Sequence, residues 1–172
     1  MPSDHSRAAE ECDRHHIRLQ LMFDFMLEGY AYCRMLFDSS GEPEDFVYLD
    51  VNPAFRRLTG LNDVVDRRVT DVIPGIKQDN PEVLATYGRV VTSGEVEEFE
   101  TSLESLGIVL SISAFRPEPD HFVAIFEDIT ERKRAEQKMQ ALVKFLEYRV
   151  QERTDELAEA MGLTDLSHAK QE

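Results

Sequence analysis

Hydrophobic and polar positions change their period several times along this chain, and each change marks an element. From Asp13 to Glu28 the apolar residues recur at helical spacing: Ile17, Leu21 and Phe25 form one stripe, and Leu19, Met22 and Met26 lie near another. Residues 1–12 carry no such pattern and read as disordered. Gly29 breaks the helix. Tyr30 to Phe37 and Phe46 to Val51 read as strands joined by the turn Asp38-Ser39-Ser40-Gly41-Glu42-Pro43, a hairpin. Asn52-Pro53-Ala54-Phe55 is a helix start, because Asn caps well and Pro at the first helical position loses no hydrogen bond. Gly60 stops that helix. Short helical turns come next around Asn62–Val65 and Thr70–Ile73, the second ended by Pro74-Gly75. Asn80-Pro81 repeats the start signal for a helix to Thr92, closed by Gly94. Glu95 to Glu104, Gly107 to Arg116 and His121 to Ile129 are three more strands.

The last strand holds Phe122-Val123-Ala124-Ile125-Phe126, apolar on both faces, so both faces should be covered. Beyond Thr130 the pattern turns to Glu131-Arg132-Lys133-Arg134-Ala135-Glu136, helical and solvated. Thr130 is a candidate N-cap, and Asp128 is placed to bond local backbone donors or the basic cluster beyond it. From Glu131 to Gly162 no Gly or Pro intervenes. A heptad frame puts Glu136, Val143, Val150 and Leu157 at a and Met139, Leu146, Arg153 and Ala160 at d, which predicts a two-stranded coiled coil weakened by Glu136 and Arg153.

Strands in two runs separated by a block of helices indicate an α+β fold with an antiparallel sheet, the helical block covering one face. Together, Asn52-Pro53-Ala54-Phe55 with Leu58-Thr59-Gly60, and the terminal Asp128-Ile129-Thr130-Glu131-Arg132-Lys133-Arg134-Ala135-Glu136, make the chain resemble a PAS domain over roughly residues 25–135. The resemblance implies a five-stranded antiparallel sheet with short helices on one face, flanked by an N-terminal helix and a long C-terminal coiled-coil helix. It also implies a sensory role coupled to an output domain, a histidine kinase or a cyclic-dinucleotide enzyme. The expected division is a tail and amphipathic helix over 1–28, the sensory domain over 29–130, a signalling helix over 131–162 and a tail over 163–172.

Composition narrows the partners. The 172 residues carry a formal net charge of −15, which argues against nucleic-acid binding. Residues 29–130 hold 8 basic and 19 acidic side chains, so the body bears most of the excess. Cys12 and Cys33 lack C-x-x-C spacing and read as free thiols in a reducing compartment. The best apolar run, Leu19 to Leu27, is interrupted by Gln20 and Asp24 and is far short of the ~20 residues a membrane span needs. With no signal-peptide pattern, the chain is expected to be cytoplasmic.

Candidate chemistry is sparse. Residues 81–92 contain no histidine and His121 lies at a turn, which argues against a His-ligated heme. Flavin photosensors of the PAS family resemble one another in an Asn-Cys-Arg motif; here the chain reads Asp66-Arg67-Arg68-Val69, which argues against a photoadduct flavin. The cofactor is otherwise undetermined. Glu95 to Glu100 alternate carboxylates along an edge-like strand and read as a solvated face. Leu166-Ser167-His168 faintly resembles a kinase phosphoacceptor, but the residues after it do not continue that pattern. No catalytic constellation is present, so the chain is expected not to be an enzyme.

These patterns lead to two site expectations. Asp128, Ile129 and Thr130 would couple sheet to helix. By a period of two, Phe122, Ala124 and Phe126 share one face of the last strand, and Val109, Ser111, Ser113 and Phe115 one face of the strand before. The resemblance places Tyr48, Asp50, Ser111, Ser113, Phe115 and Phe126 around a cavity for a small, partly polar molecule, unless Phe126 and Phe115 simply fill it. The chain is expected to be a homodimeric sensory domain passing ligand or partner state to an output domain; the alternative is a ligand-free dimerisation and protein-interaction module.

Overall fold

The computed structural model describes residues 4–161, and the side chains of residues 14–161. Its elements run α1 (Asp4–Phe25), β1 (Gly29–Phe37), β2 (Pro43–Val51), α2 (Pro53–Thr59), α3 (Val69–Val72), α4 (Ile76–Asp79), α5 (Pro81–Ser93), β3 (Glu97–Leu103), β4 (Ile108–Phe115), β5 (His121–Asp128) and α6 (Thr130–Ala160). The five strands form one antiparallel sheet in the order β2-β1-β5-β4-β3. This is the α+β arrangement anticipated, with α2 to α5 inserted between the second and third strands and laid on one face.

Local chemistry accounts for the boundaries. Asn52 is extended, and its Oδ1 accepts the Phe55 N–H at 2.9 Å while Pro53 opens α2. Gly60 and Gly94 close α2 and α5 at φ 73° and 78°, a region where a side chain is strained. In the β1–β2 turn the Asp38 carboxylate accepts the N–H groups of Ser40 and Glu42.

Four expectations are corrected. The first helix begins at Asp4, inside the segment read as disordered, and ends at Phe25 rather than Glu28. No helical turn forms at Asn62–Val65. Instead Asp63 and Asp66 take positive φ, and the chain pairs alongside β2: Tyr48 donates its N–H to the Arg67 carbonyl, and Asp66 donates to the Tyr48 carbonyl. That backbone demand outweighed a weak helical pattern. A turn not foreseen, α4, comes after Gly75, whose φ of 90° reverses the chain beyond Pro74. Thr130 is the first helical residue of α6 rather than its cap.

The core lies between the sheet and the α2–α5 layer. Phe122, Val64, Val69, Val90 and Cys33 are at or below 1% exposed. The sheet's inner face alternates: Ala31, Cys33 and Met35 on β1, Leu110, Ile112 and Ala114 on β4, and Phe122, Ala124 and Phe126 on β5 are all buried. The chain divides into two compact units after Thr130. In the second, α6 is bonded along its surface by Glu131–Arg134, Arg149–Glu152 and Arg153–Glu156 ion pairs. Met139, Val143, Leu146, Val150 and Leu157 are exposed on it. Among the described residues no helix is long and apolar enough to cross a membrane.

Candidate functional site: a ring-lined core cavity and the β5–α6 junction

Aromatic side chains converge where the helical layer meets the sheet. Phe46 sits edge-on to Tyr48, Tyr87 and Phe122, with centroid separations of 5.3, 5.6 and 5.2 Å. Tyr87 stacks on Phe122 at 4.3 Å, and Phe55 bridges Tyr48 to Phe126. Offset and edge-on pairs of this kind add to what burial alone contributes. Between them remains a cavity of about 50 Å³, lined also by Cys33, Thr59, Thr101 and aliphatic residues. Cavities that hold small organic ligands span roughly 300–1,000 Å³, so this one has room for a few waters and no more unless its walls move. Burial pushes the Cys33 thiol and the Tyr48 and Tyr87 phenols up, so all three remain neutral at pH 7.

The expected pocket residues divide. Tyr48 and Phe126 line the cavity. Asp50 does not: it is exposed and accepts the Val51 N–H. Tyr32 pairs with Asp50 but Cys33 with Tyr48, so Leu49 is an extra residue that reverses the facing of the residues after it. Ser111, Ser113 and Phe115 lie half-buried on the sheet's outer face, where the two serines and Glu98 border a shallow recess. The structure turns β4 by one residue relative to the sequence expectation. Ile112 pairs with Phe126 and Ala114 with Ala124, so the even-numbered residues point inward. The run Leu110, Ile112, Ala114 is uniformly apolar, whereas the other set holds the two serines; that difference was the available signal. Phe122 and Ala124, expected on the inward face of β5, line the cavity as well; Cys33, Phe46, Phe55 and Tyr87 line it without any sequence expectation, although Tyr87 shares an apolar helix face with Val83, Leu84, Val90 and Val91.

At the other site, four groups lock the end of β5 to β4. Ile129 is buried and donates its N–H to the Val109 carbonyl at 2.8 Å. Val109 returns its own N–H to Thr130 Oγ1, also at 2.8 Å. The Asp128 carboxylate accepts the Thr130 N–H at 2.8 Å and, in a short contact, the Thr130 hydroxyl proton. Thr130 therefore spends its acceptor on the neighbouring strand, and Asp128 takes over the satisfaction of the first helical N–H. Asp128, Ile129 and Thr130 thus form one hydrogen-bonded knot.

Among the described residues no group of three or more His, Cys, Asp and Glu side chains is arranged to hold a metal. Leu166-Ser167-His168 falls outside the described residues.

No family model matches the chain, and no curated protein does. Solved structures similar to it include an RNA-binding light-oxygen-voltage receptor, at 16% identity and TM-score 0.49, over 76% of this chain and 37% of that one. A domain of a sensory box sensor histidine kinase/response regulator from Geobacter sulfurreducens is 20% identical at TM-score 0.44, over 66% of this chain and 94% of that one. The PAS domain of Bordetella pertussis BvgS is 17% identical at TM-score 0.44, over 77% and 98% respectively. The sheet order β2-β1-β5-β4-β3, with the helical layer inserted after β2, decides the assignment. The fold is that of a PAS domain. The chain spans 37% of the length of the light-oxygen-voltage receptor.

Proposed function

We propose that the PAS domain, residues 29–130, is the sensory module of a cytoplasmic signalling protein. In this reading it transmits its state through Asp128, Ile129 and Thr130 into the helix over 131–162. That helix pairs with a second copy as a parallel coiled coil, and the output is a histidine kinase or a cyclic-dinucleotide enzyme. The module itself is not catalytic. The observation that carries the reading is the reciprocal exchange between Val109 and Ile129–Thr130, because a shift of β4 against β5 must move the first residues of α6.

The test fuses the chain to a histidine kinase core and compares autophosphorylation of the parent and Asp128→Ala. Asp128 is exposed, so the variant should fold normally, with a melting temperature within a few degrees of the parent. Autophosphorylation should change several-fold. An unchanged level in a folded variant refutes the coupling.

A second reading, a ligand-free interaction module, is favoured by the size of the cavity. About 50 Å³ walled by stacked rings suits a filled core better than a receptor site. Native mass spectrometry discriminates: a co-purifying small molecule supports sensing in the core, and its absence supports signalling by contact.

A further inference from the structure

A cavity of about 50 Å³ receives an organic guest only if a wall yields, and its walls are not equally held. The sheet side is fixed by strand ladders, and α5 is a continuous helix of 13 residues. Residues 60–68, the strap between α2 and α3, bring Leu61 to the cavity and are flanked by two more of its lining residues, Thr59 and Val69. Two backbone hydrogen bonds tie this strap to β2, and both go to one residue. Tyr48 donates its N–H to the Arg67 carbonyl at 3.1 Å, and its carbonyl accepts the Asp66 N–H at 2.8 Å. Tyr48 also carries one of the cavity's phenols, so the strap and the ring wall are joined at a single point.

Val64 is the strap's one buried side chain, and Asp63 and Asp66 on either side of it hold φ at 52° and 63°. Glycine enters that region freely; aspartate enters it at a cost that is met only while the surrounding contacts last. A segment with irregular backbone, one buried anchor and two tethers is the kind that opens locally while the sheet stays intact.

The lining sets what can enter. None of the residues around the cavity carries a charged side chain; its polar groups are the Cys33 thiol, the Tyr48 and Tyr87 phenols and the hydroxyls of Thr59 and Thr101. Both threonines are already engaged, Thr59 donating to the Phe55 carbonyl and Thr101 to the Glu82 carboxylate. A charged guest would find no counter-ion there, and an unpaired buried charge is strongly disfavoured.

We infer that the strap over residues 60–68 is the gate of the core cavity, releasing Tyr48 to admit an uncharged, mainly apolar small molecule. This deepens the sensory reading above and rests on it for the use of the core as a receptor site. The closed strap accounts for a cavity smaller than any such guest.

The experiment uses the full chain with Cys12→Ser, which leaves Cys33 in the cavity wall as the reporter, and circular dichroism to verify folding. Methyl methanethiosulfonate is small and uncharged; it transfers its thiomethyl group to a thiol and releases methanesulfinic acid. Its sulfonatoethyl analogue reacts in the same way but carries a negative charge. The neutral reagent should modify Cys33 in the native protein at a rate nearly flat over the first ~1 M urea, since local opening exposes little surface. The charged reagent should be at least ~100-fold slower, once each rate is divided by that on the unfolded chain. Asp66 is exposed, so substitutions there act through the backbone. Asp66→Val sets a β-branched side chain against the left-handed conformation and should speed the neutral reaction about tenfold. Asp66→Asn tolerates that conformation and should stay within about threefold of the parent. Val64→Ala loosens the anchor and should also speed the reaction about tenfold. A rate that climbs in urea as steeply as global unfolding overturns the gate. So do folded Asp66→Val and Val64→Ala variants that label like the parent. Equal entry of the two reagents overturns the class of guest. Gated labelling together with unchanged autophosphorylation in the Asp128→Ala kinase fusion refutes the coupling and sustains the gate.

Discussion

Thr130→Val removes one hydroxyl and keeps the shape of the side chain, which isolates the junction's hydrogen bonds from its packing. Thr130 is 8% exposed, and its Oγ1 accepts the N–H of Val109, itself half-buried at the start of β4. In the variant that N–H loses its partner, and an unmet buried donor costs about 1–3 kcal/mol. The Asp128 carboxylate also loses a donor, but it is exposed and rehydrates, so it adds little. A loss of about 2 kcal/mol would lower the melting temperature of a chain this size by about 4–8 °C. The same loss should speed hydrogen exchange at the Val109 amide about 30-fold. Thr130→Ser keeps the hydroxyl and should cost only about 0.8 kcal/mol for the missing methyl, with Val109 exchange near the wild-type rate. Urea melts, thermal melts and amide exchange by mass spectrometry or NMR measure the three quantities in turn. If Thr130→Val melts with the wild type and leaves Val109 exchange unchanged, the hydroxyl is not what ties β4 to α6, and the coupling argument loses its physical basis.

Other consequences are as direct. Gly29→Ala should destabilise by about 1–3 kcal/mol, because the added Cβ would stand 2.3 Å from the Phe126 ring tip; denaturant melts decide it, and a neutral result would mean the ring has room to yield. In a Cys12→Ser background the buried Cys33 thiol, raised by desolvation, should resist Ellman's reagent in the native protein and react at once in 6–8 M urea, about enough to unfold a domain of ordinary stability. The Glu82 carboxyl is held below its ordinary value of 4.5, first by its own backbone N–H at the start of α5 and then by Asn80 and Thr101. A carboxyl lowered on folding contributes stability that is present above the unfolded value and lost as pH falls through the folded one. Glu82→Gln should therefore flatten stability against pH below about 4.5 and leave the alkaline side unchanged; an acid limb as steep as the wild type's would reject the assignment.

How much of this was legible in the chain depended on whether a feature is local. Helix ends written in single residues, such as Asn52-Pro53 and Gly94, were readable because caps act within a few residues of themselves. The hairpin and the succession of five strands along the chain were readable for the same reason; their order in the sheet, β2-β1-β5-β4-β3, comes from pairing between distant segments. Facing was harder. In β4 both parities carry large apolar residues, Val109 and Phe115 against Leu110 and Ile112, so the only local sign of the outer face is the pair of serines in the odd-numbered set; the pairing of Ile112 with Phe126 settles it. In β2 the extra residue at Leu49 exists only relative to β1, and no pattern within one strand announces it. The cavity is assembled from all five strands and from α2 to α5, and its size depends on how those surfaces interlock. At the junction, Asp128 and Thr130 were identified from the sequence, but the partner at Val109 lies 21 residues away and only the fold brings it there.

At its outer rim the sheet ends in β3, whose far side faces no further strand among the described residues. Glu98 and Glu100 stand exposed along it, and Glu97 is held by Arg89. Two molecules meeting rim to rim would bring such carboxylates within about 5 Å of each other, the spacing of adjacent strands, and be pushed apart. Exchanging Glu98 and Glu100 for valine or threonine would remove that repulsion and leave an uncharged margin open to strand pairing between molecules.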